Sequence, residues 1–353
     1  MKAAIFKGKG NIAVEEIPKP TTTDSTDAVV RVVLACVCGS DLWWYRGISD
    51  WNHGTVGHEF IGVVDEIGDD VKNVRVGDFV ISPFSFSDGT CQNCQAGFHT
   101  ACIHGGFFGG GGTDDGGQAE FVRVPQADGT LLKVPGSDFS DETLASLLAL
   151  TDVMSTGYHA AVSAEVGEGD TVAVVGDGAV GLSGVLSARM LGAKRIIVLG
   201  SKTESRHELA REWGATDIIT ARGEEAVQEL KDMTGGYGAD AVLECVGTKE
   251  ATETAFAIAK AGAIVGRVGV PHDAPVDAEG TFYRNVGMRG GPAPARFYQP
   301  ELMQAVLGGE INPGKVFDLT VGLDDIAEGY AAMDERRAIK ALVKVSALGE
   351  VSA

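Results

Sequence analysis

The sequence has no dense Lys/Arg run, no uninterrupted apolar stretch of membrane-spanning length, no internal repeat and no low-complexity linker. Each absence removes a class of function. With 49 acidic against 29 basic side chains and a formal charge of −20, nothing is positioned to neutralise a phosphate backbone, so nucleic acid is not an expected partner. The start Met1-Lys2-Ala3-Ala4-Ile5-Phe6 is too short an apolar segment for a secretory signal, and the expectation is a cytoplasmic protein with no membrane partner. Six cysteines in 353 residues are too few for a disulfide scaffold, and three of them crowd between Cys91 and Cys102, which in a reducing compartment points to metal.

What is present is a chain long enough for two domains, 44% hydrophobic and 22% charged, with a mean hydropathy of +0.07. Its 49 glycines fall in short clusters, the composition expected where backbone must approach a ligand or turn tightly. To about residue 150 the texture is β-rich: 28–33, 60–64 and 78–81 are β-branched runs bounded by Gly, Asp or Pro, and predict an antiparallel or barrel-like domain. From about residue 153, strand runs at 171–175, 195–199, 216–219, 241–245 and 263–266 alternate with helix-length segments near 179–191, 204–213, 224–233 and 250–260. That alternation requires crossover connections and a parallel, doubly wound sheet. The pattern fades near Gly290-Gly291-Pro292, so the expected division is 1–152 with 292–353 as one domain and 153–291 as a dinucleotide-binding domain.

After the strand ending at Val175 comes Gly176-Asp177-Gly178-Ala179-Val180-Gly181, opening a helix. In that setting the first glycine permits the turn, the second lets backbone reach a pyrophosphate, and the third allows close helix packing. The helix start adds free N–H groups and the positive end of its dipole. An NAD-selective site would place Asp or Glu at the end of the second strand. This chain has Gly200-Ser201-Lys202 there, with Arg206 one turn later, a small residue followed by a hydroxyl and two cations that would suit a 2′-phosphate. The reading is NADP(H) in preference to NAD(H); a solvated helix start is the plainer alternative for Lys202 and Arg206.

Two clusters carry metal-ligand chemistry. Cys38-Gly39-Ser40-Asp41 and Gly57-His58-Glu59 offer a thiolate and an imidazole, and Asp152, at the expected domain junction, completes a three-ligand site with one position open. Core packing is the ordinary alternative for a lone Cys or His-Glu pair. Asp88-x2-Cys91-x2-Cys94-x7-Cys102 reads as a closed structural zinc lobe with one carboxylate ligand; His99 or His104 as the fourth ligand, or a lobe that has lost its metal, are the alternatives.

Taken in order, Cys38-x-Ser40-Asp41, Gly57-His58-Glu59, the lobe at 88–102, Asp115-Gly116-Gly117-Gln118-Ala119-Glu120-Phe121, Thr156-Gly157-Tyr158-His159, the fingerprint at 176–181 and Ala338-Ile339-Lys340 closely resemble the zinc-dependent medium-chain alcohol dehydrogenases, over essentially the whole chain. The resemblance implies a GroES-like catalytic domain, a Rossmann domain, a zinc in the cleft between them, and a homodimer or homotetramer. It implies Cys38, His58 and Asp152 as catalytic zinc ligands, with the aspartate similar to that of bacterial NADP-dependent secondary alcohol dehydrogenases. Glu59 would be a carboxylate able to approach the metal, Ser40 the hydroxyl on the substrate oxygen, Asp41 an acid behind the ligands and Lys340 its basic partner. Thr156, Val246, Val268 and Gly269 would line the cofactor.

The function implied is hydride transfer between NADP(H) and an alcohol, ketone or aldehyde. A polyol or amino-alcohol dehydrogenase of the same superfamily is the nearest alternative, although those related to sorbitol dehydrogenase commonly carry Glu-Pro where this chain has Thr151-Asp152. Zinc-free quinone reductases share the fold but lack the Cys/His pair, and a catalytically silent NADP-binding protein is the reading from another class. Trp43 stands where many relatives carry a relay histidine, with His53 as a possible substitute. Trp43, Trp44, Tyr45, Phe107 and Phe108 would make either an aromatic-lined substrate pocket or ordinary core. The strand 262–266 is a candidate for pairing across a two-fold axis.

Overall fold

The computed structural model describes residues 1–49, 54–110 and 115–349. Residues Met1–Asp152 and Pro294–Ala353 form one compact unit and Val153–Ala293 another. No helix among the described residues is long and apolar enough to cross a membrane.

In the first unit the long strand Ala28–Cys36 is buried along its whole length. One side is taken by Phe60–Ile67, antiparallel. The other is shared between Phe121–Val124, against its first residues, and Lys340–Lys344, against its last. Phe79–Ile81 and Leu132–Lys133 extend the sheet beyond Phe60–Ile67. At the opposite edge Phe317–Gly322 runs parallel to Lys340–Lys344. The unit is thus largely antiparallel, as the sequence predicts, apart from that one pair. β-Branched residues of these strands and Tyr330 make its core. The chain's return places Lys340 beside the end of Ala28–Cys36, within reach of residues that precede it by some three hundred positions.

The second unit is a six-stranded parallel sheet ordered Asp217–Ile219, Arg195–Leu199, Thr171–Val175, Ala239–Glu244, Ala259–Arg267, Gly287–Gly290. In chain order that is 3-2-1-4-5-6, the Rossmann arrangement, with its switch point between Thr171–Val175 and Ala239–Glu244. Helices Ala179–Met190, Glu204–Trp213, Gly223–Met233, Lys249–Ile258 and Ala278–Arg284 make the crossovers. The strand containing 262–266 is flanked on both sides, so it is not an edge available for pairing; the edge on its side of the sheet is Gly287–Gly290. The sequence missed this because Gly287–Gly290 carries only one apolar side chain, Met288.

Candidate active site and dinucleotide site

The Cys38–Asp41 turn is closed by the side chain of Asp41, whose Oδ2 accepts the Cys38 N–H at 2.9 Å, while the Asp41 N–H donates to Cys38 O at 3.2 Å. This turn, closed from behind by the Asp41 carboxylate, fixes the thiol just before the short helix Asp41–Tyr45. His58 and Glu59 immediately precede the strand Phe60–Ile67. Asp152 follows the helix Asp141–Ala149, whose N-cap Ser140 accepts from the Thr143 N–H.

Donor atoms of Cys38, His58, Glu59 and Asp152 lie within 4.8 Å of one another. His58 Nε2 is 3.3 Å from Asp152 Oδ2, and Cys38 Sγ is 3.6 Å from the same oxygen. Tetrahedral zinc with ordinary bond lengths needs N···O and S···O separations of about 3.3 and 3.5 Å. The donors therefore stand at the spacing a bound zinc requires. Their electrostatics agree: burial and then the charge of Glu59 push the Cys38 thiol up, the mutual opposition of crowded anions that a divalent cation offsets. For His58, burial acts downward, but the charges of Cys38 and Asp41 outweigh it and its pKa is raised.

Behind these donors lies a buried polar chain that the sequence did not disclose. Tyr330 Oη donates to Gln118 Oε1 at 2.8 Å, and Gln118 Nε2 donates to Asp41 Oδ2 at 3.1 Å and to Cys36 O at 3.0 Å. Asp41 Oδ1 stands 3.5 Å from His58 Nδ1. That carboxylate favours the proton on Nδ1, leaving the Nε2 lone pair for a metal. Gly57 has φ +89°, and a Cβ there would lie 2.4 Å from Gln118 Cγ; the glycine is what lets Gln118 cross beneath the His58 segment. The sequence offered no signal for it, since Gly57 and Gln118 stand 61 positions apart and meet only in the fold.

One expected partnership is corrected. Lys340 does not pair with Asp41: its Nζ donates to Glu59 Oε1 at 2.6 Å and to Val37 O at 3.1 Å, with both side chains buried. The position of Lys340 on the returning strand, opposite the end of Ala28–Cys36, aims it at Glu59. Burial disfavours its charge, yet the neighbouring Cys36 and Glu59 outweigh that and hold its pKa well above the ordinary lysine value.

Ser40 N-caps the Asp41–Tyr45 helix without a side-chain cap bond. His53 lies outside the described residues. Of the bulky aromatics, Trp44 and Tyr45 pack against the core, and Phe108 is buried against Phe60 and Phe86. Phe107 instead stacks on Phe84 at 6.0 Å and 11°, and Phe84 sets its edge to His58 at 6.3 Å. Core packing thus claims three of the five, and Phe84 joins Phe107 near the metal-ligand cluster.

The lobe also closes. Asp88, Cys91, Cys94 and Cys102 bring their donor atoms within 4.8 Å, with Sγ–Sγ distances of 3.5 Å for Cys91–Cys94 and 3.9 Å for Cys91–Cys102, against about 3.8 Å for tetrahedral zinc thiolates. Backbone N–H groups of Cys94 and Ile103 pull the Cys91 thiol down to about 7. His104 Nδ1 lies 2.7 Å from Asp88 Oδ2, so the histidine stands behind the carboxylate, while His99 is not in the donor group.

In the second unit Gly176 takes φ +110°, and a Cβ on Gly181 would meet Gly176 O at 2.1 Å. A Cβ on Gly178 would meet nothing within 4 Å: the loop leaves open backbone at the start of Ala179–Met190, beside Val180. Val246 packs over Gly176, and Gly269 lies against the Gly247 backbone, with Val268 just before it. Thr156 is buried in the helix Val153–Ser163. Ser201 and Arg206 are engaged by Asp177, and Lys202 is exposed.

Residues 24–136 match the family model of the alcohol dehydrogenase GroES-like domain, and residues 179–305 that of zinc-binding dehydrogenases. The chain belongs to the zinc-dependent medium-chain alcohol dehydrogenases. It is 35% identical to the zinc-type alcohol dehydrogenase B of Aspergillus flavus over 98% of this chain and 81% of that one. Among solved structures it is similar to the alcohol dehydrogenase TADH from Thermus sp. ATN1, with a TM-score of 0.90 and 32% identity over 98% and 100% of the two chains. It is also similar to the apo form of zinc-dependent alcohol dehydrogenase 2 from Streptococcus pneumonia, with a TM-score of 0.88 and 30% identity over the full length of both. This zinc-dependent dehydrogenase combines the mixed α/β fold of its family with a parallel Rossmann sheet and a GroES-like domain.

Proposed function

We propose that this alcohol dehydrogenase transfers hydride between NADP(H), in preference to NAD(H), and an alcohol, ketone or aldehyde. The observation that supports it most directly is the convergence of the Cys38, His58 and Asp152 donors, with Cys38 Sγ and His58 Nε2 at 3.6 and 3.3 Å from Asp152 Oδ2, separations a tetrahedral zinc would set. In this reading Cys38, His58 and Asp152 hold the catalytic zinc, and Asp88, Cys91, Cys94 and Cys102 a structural one. Zinc held by the first set supplies Lewis acidity to a hydroxyl or carbonyl oxygen, and the dinucleotide supplies or accepts the hydride.

The chain's own residues do the rest. Asp41, itself held by Gln118, keeps the His58 ring oriented. The Ser40 hydroxyl, not spent as a helix cap, receives the substrate proton and passes it outward. Lys340 neutralises Glu59, so that carboxylate stays buried beside the ligands at low cost. Phe84 and Phe107 present apolar rings on the His58 side, which exclude water from the reacting oxygen.

The NADP(H) choice is supported by the chain carrying Gly200-Ser201-Lys202, with no acidic residue of its own, at the end of Arg195–Leu199, by the exposed cation of Lys202 and by Arg206 one turn later, with Ser201 and Arg206 held in place by Asp177. Thr156, Gly176, Gly178, Ala179, Val180, Gly181, Val246, Val268 and Gly269 complete the cofactor cradle. The free state of all six cysteines accords with a cytoplasmic enzyme, and the edge strand Gly287–Gly290 offers a surface for a homodimer or homotetramer. The experiment is an NADPH-oxidation assay with mixed ketones and aldehydes alongside elemental analysis. Cys38→Ser should abolish turnover and remove one zinc while cooperative unfolding persists; full turnover without metal at this site would overturn the reading.

A further inference from the structure

We infer that Asp177 is a cofactor-discriminating residue, whose carboxylate competes with a ribose 2′-phosphate for Ser201 and Arg206. The inference rests on the proposed 2′ site at Gly200, Ser201, Lys202 and Arg206, and it limits the NADP preference those residues confer.

Asp177 is the first variable position of the glycine fingerprint, where the spacing rule places no demand on the side chain. Its side chain is 12% exposed and reaches across to the end of the second strand. There Oδ2 accepts both the backbone N–H of Ser201, at 2.7 Å, and its hydroxyl, at 2.5 Å. Arg206 Nη1 donates to the Asp177 carbonyl at 3.0 Å and stands 3.7 Å from Oδ1. A Cβ on Gly200 would lie 2.8 Å from Asp177 Oδ2 and 2.9 Å from its Cβ. Gly200 therefore does not leave open room for a phosphate; it makes room for Asp177.

In dinucleotide folds the acid that accepts from the ribose hydroxyls stands at the end of the second strand, and its absence leaves space and charge balance for a 2′-phosphate. Here the strand end is bare, but a carboxylate arrives at the same place from the preceding loop. Its Oδ2 already occupies both Ser201 donors that a phosphate would use, and its Oδ1 lies in ion-pair range of Arg206, whose hydrogen bond goes to the Asp177 carbonyl. A 2′-hydroxyl can donate to that carboxylate, whereas a 2′-phosphate meets like charge and must displace it. Asp177 thus penalises NADP(H) selectively.

The test is Asp177→Asn, which keeps the shape and removes the charge, with Asp177→Ser as a second charge-free variant in case the amide does not fold. Calorimetric titration with adenosine 2′,5′-bisphosphate and with 5′-AMP reads the site without turnover, and kcat/KM for NADPH and NADH reads it in the enzyme. The expected result is bisphosphate binding tighter by about tenfold or more, 5′-AMP binding changed by less than about threefold, and an NADPH:NADH ratio raised in proportion. Unchanged or weaker bisphosphate binding by both folded variants overturns the role of Asp177. Ser201→Ala and Lys202→Ala in the natural chain separate the two claims. If they weaken bisphosphate binding while the Asp177 variants leave it unmoved, only the discrimination fails; if they too have no effect, the 2′ site and the inference fail together.

Discussion

Nζ of Lys340 lies 2.6 Å from Oε1 of Glu59, with 1% and 0% of the two side chains exposed. An ion pair so far from water is more a mutual obligation than a gain, because either partner alone would be a buried, uncompensated charge. Lys340→Met should therefore destabilise the protein by about 3–5 kcal/mol in urea unfolding, and Glu59→Gln/Lys340→Met should recover most of that loss. A double variant as unstable as the single one would show that the lysine acts through something other than Glu59.

Asp41 faces His58 Nδ1 at 3.5 Å and receives the Cys38 N–H, so it orients two of the three proposed ligands. Asp41→Asn is expected to weaken zinc affinity by about 10- to 100-fold, the usual cost of losing such a partner, with little change in dinucleotide binding. Competition against a chromogenic chelator measures the first and fluorescence titration the second. Gln118→Ala should move metal affinity in the same direction, since the amide holds Asp41 from behind.

Metal analysis should find about two zinc ions per chain, one for each donor cluster. Cys38→Ser and Cys91→Ser should each leave about one, with different consequences. The first should remove activity with a modest change in Tm. The second should lower Tm, because the lobe donors close on themselves and bind residues 88–104 into one loop.

Asp27 accepts hydrogen bonds from the Thr23 and Asp24 N–H groups and from Arg123. Burial pushes its pKa up, but Arg123 and these backbone groups outweigh burial and hold it below the ordinary carboxylate value. A depressed native pKa contributes stability above the unfolded value of about 3.9 and loses it as the pH falls through the native one. Asp27→Asn should cost about 1.5–3 kcal/mol at pH 7. In urea titrations across pH 7 to 3, that difference should shrink in the most acidic part of the range.

The second unit was the more legible of the two. Thr171–Val175 and Arg195–Leu199 begin and end where the apolar runs do, because buried parallel strands are hydrophobic on both faces and are cut off sharply by Gly, Asp or Lys. The metal-donor clusters were visible as residue types at recognisable intervals. What escaped was side-chain pairing over long separations. The Lys340–Glu59 bond joins residues 281 positions apart, and no local pattern distinguishes Glu59 from Asp41 as the partner. Gln118 was seen as part of a motif without a task, since its task is fixed only when Gly57 passes over it. Asp177 was hidden by the fingerprint itself, which specifies glycines and is silent between them; a carboxylate in a loop proposed to hold phosphate is a local conflict, and conflicts of that kind mark functional positions.

The return of the chain to its first unit also has a consequence for biosynthesis. Every proposed catalytic zinc ligand has been made by Asp152, but the cation that neutralises Glu59 is added only with Lys340, 281 positions after its partner. Until then the nascent donor cluster carries an unmatched acid, and a product cut short before Lys340–Lys344 would be marked by its own instability for removal by quality control.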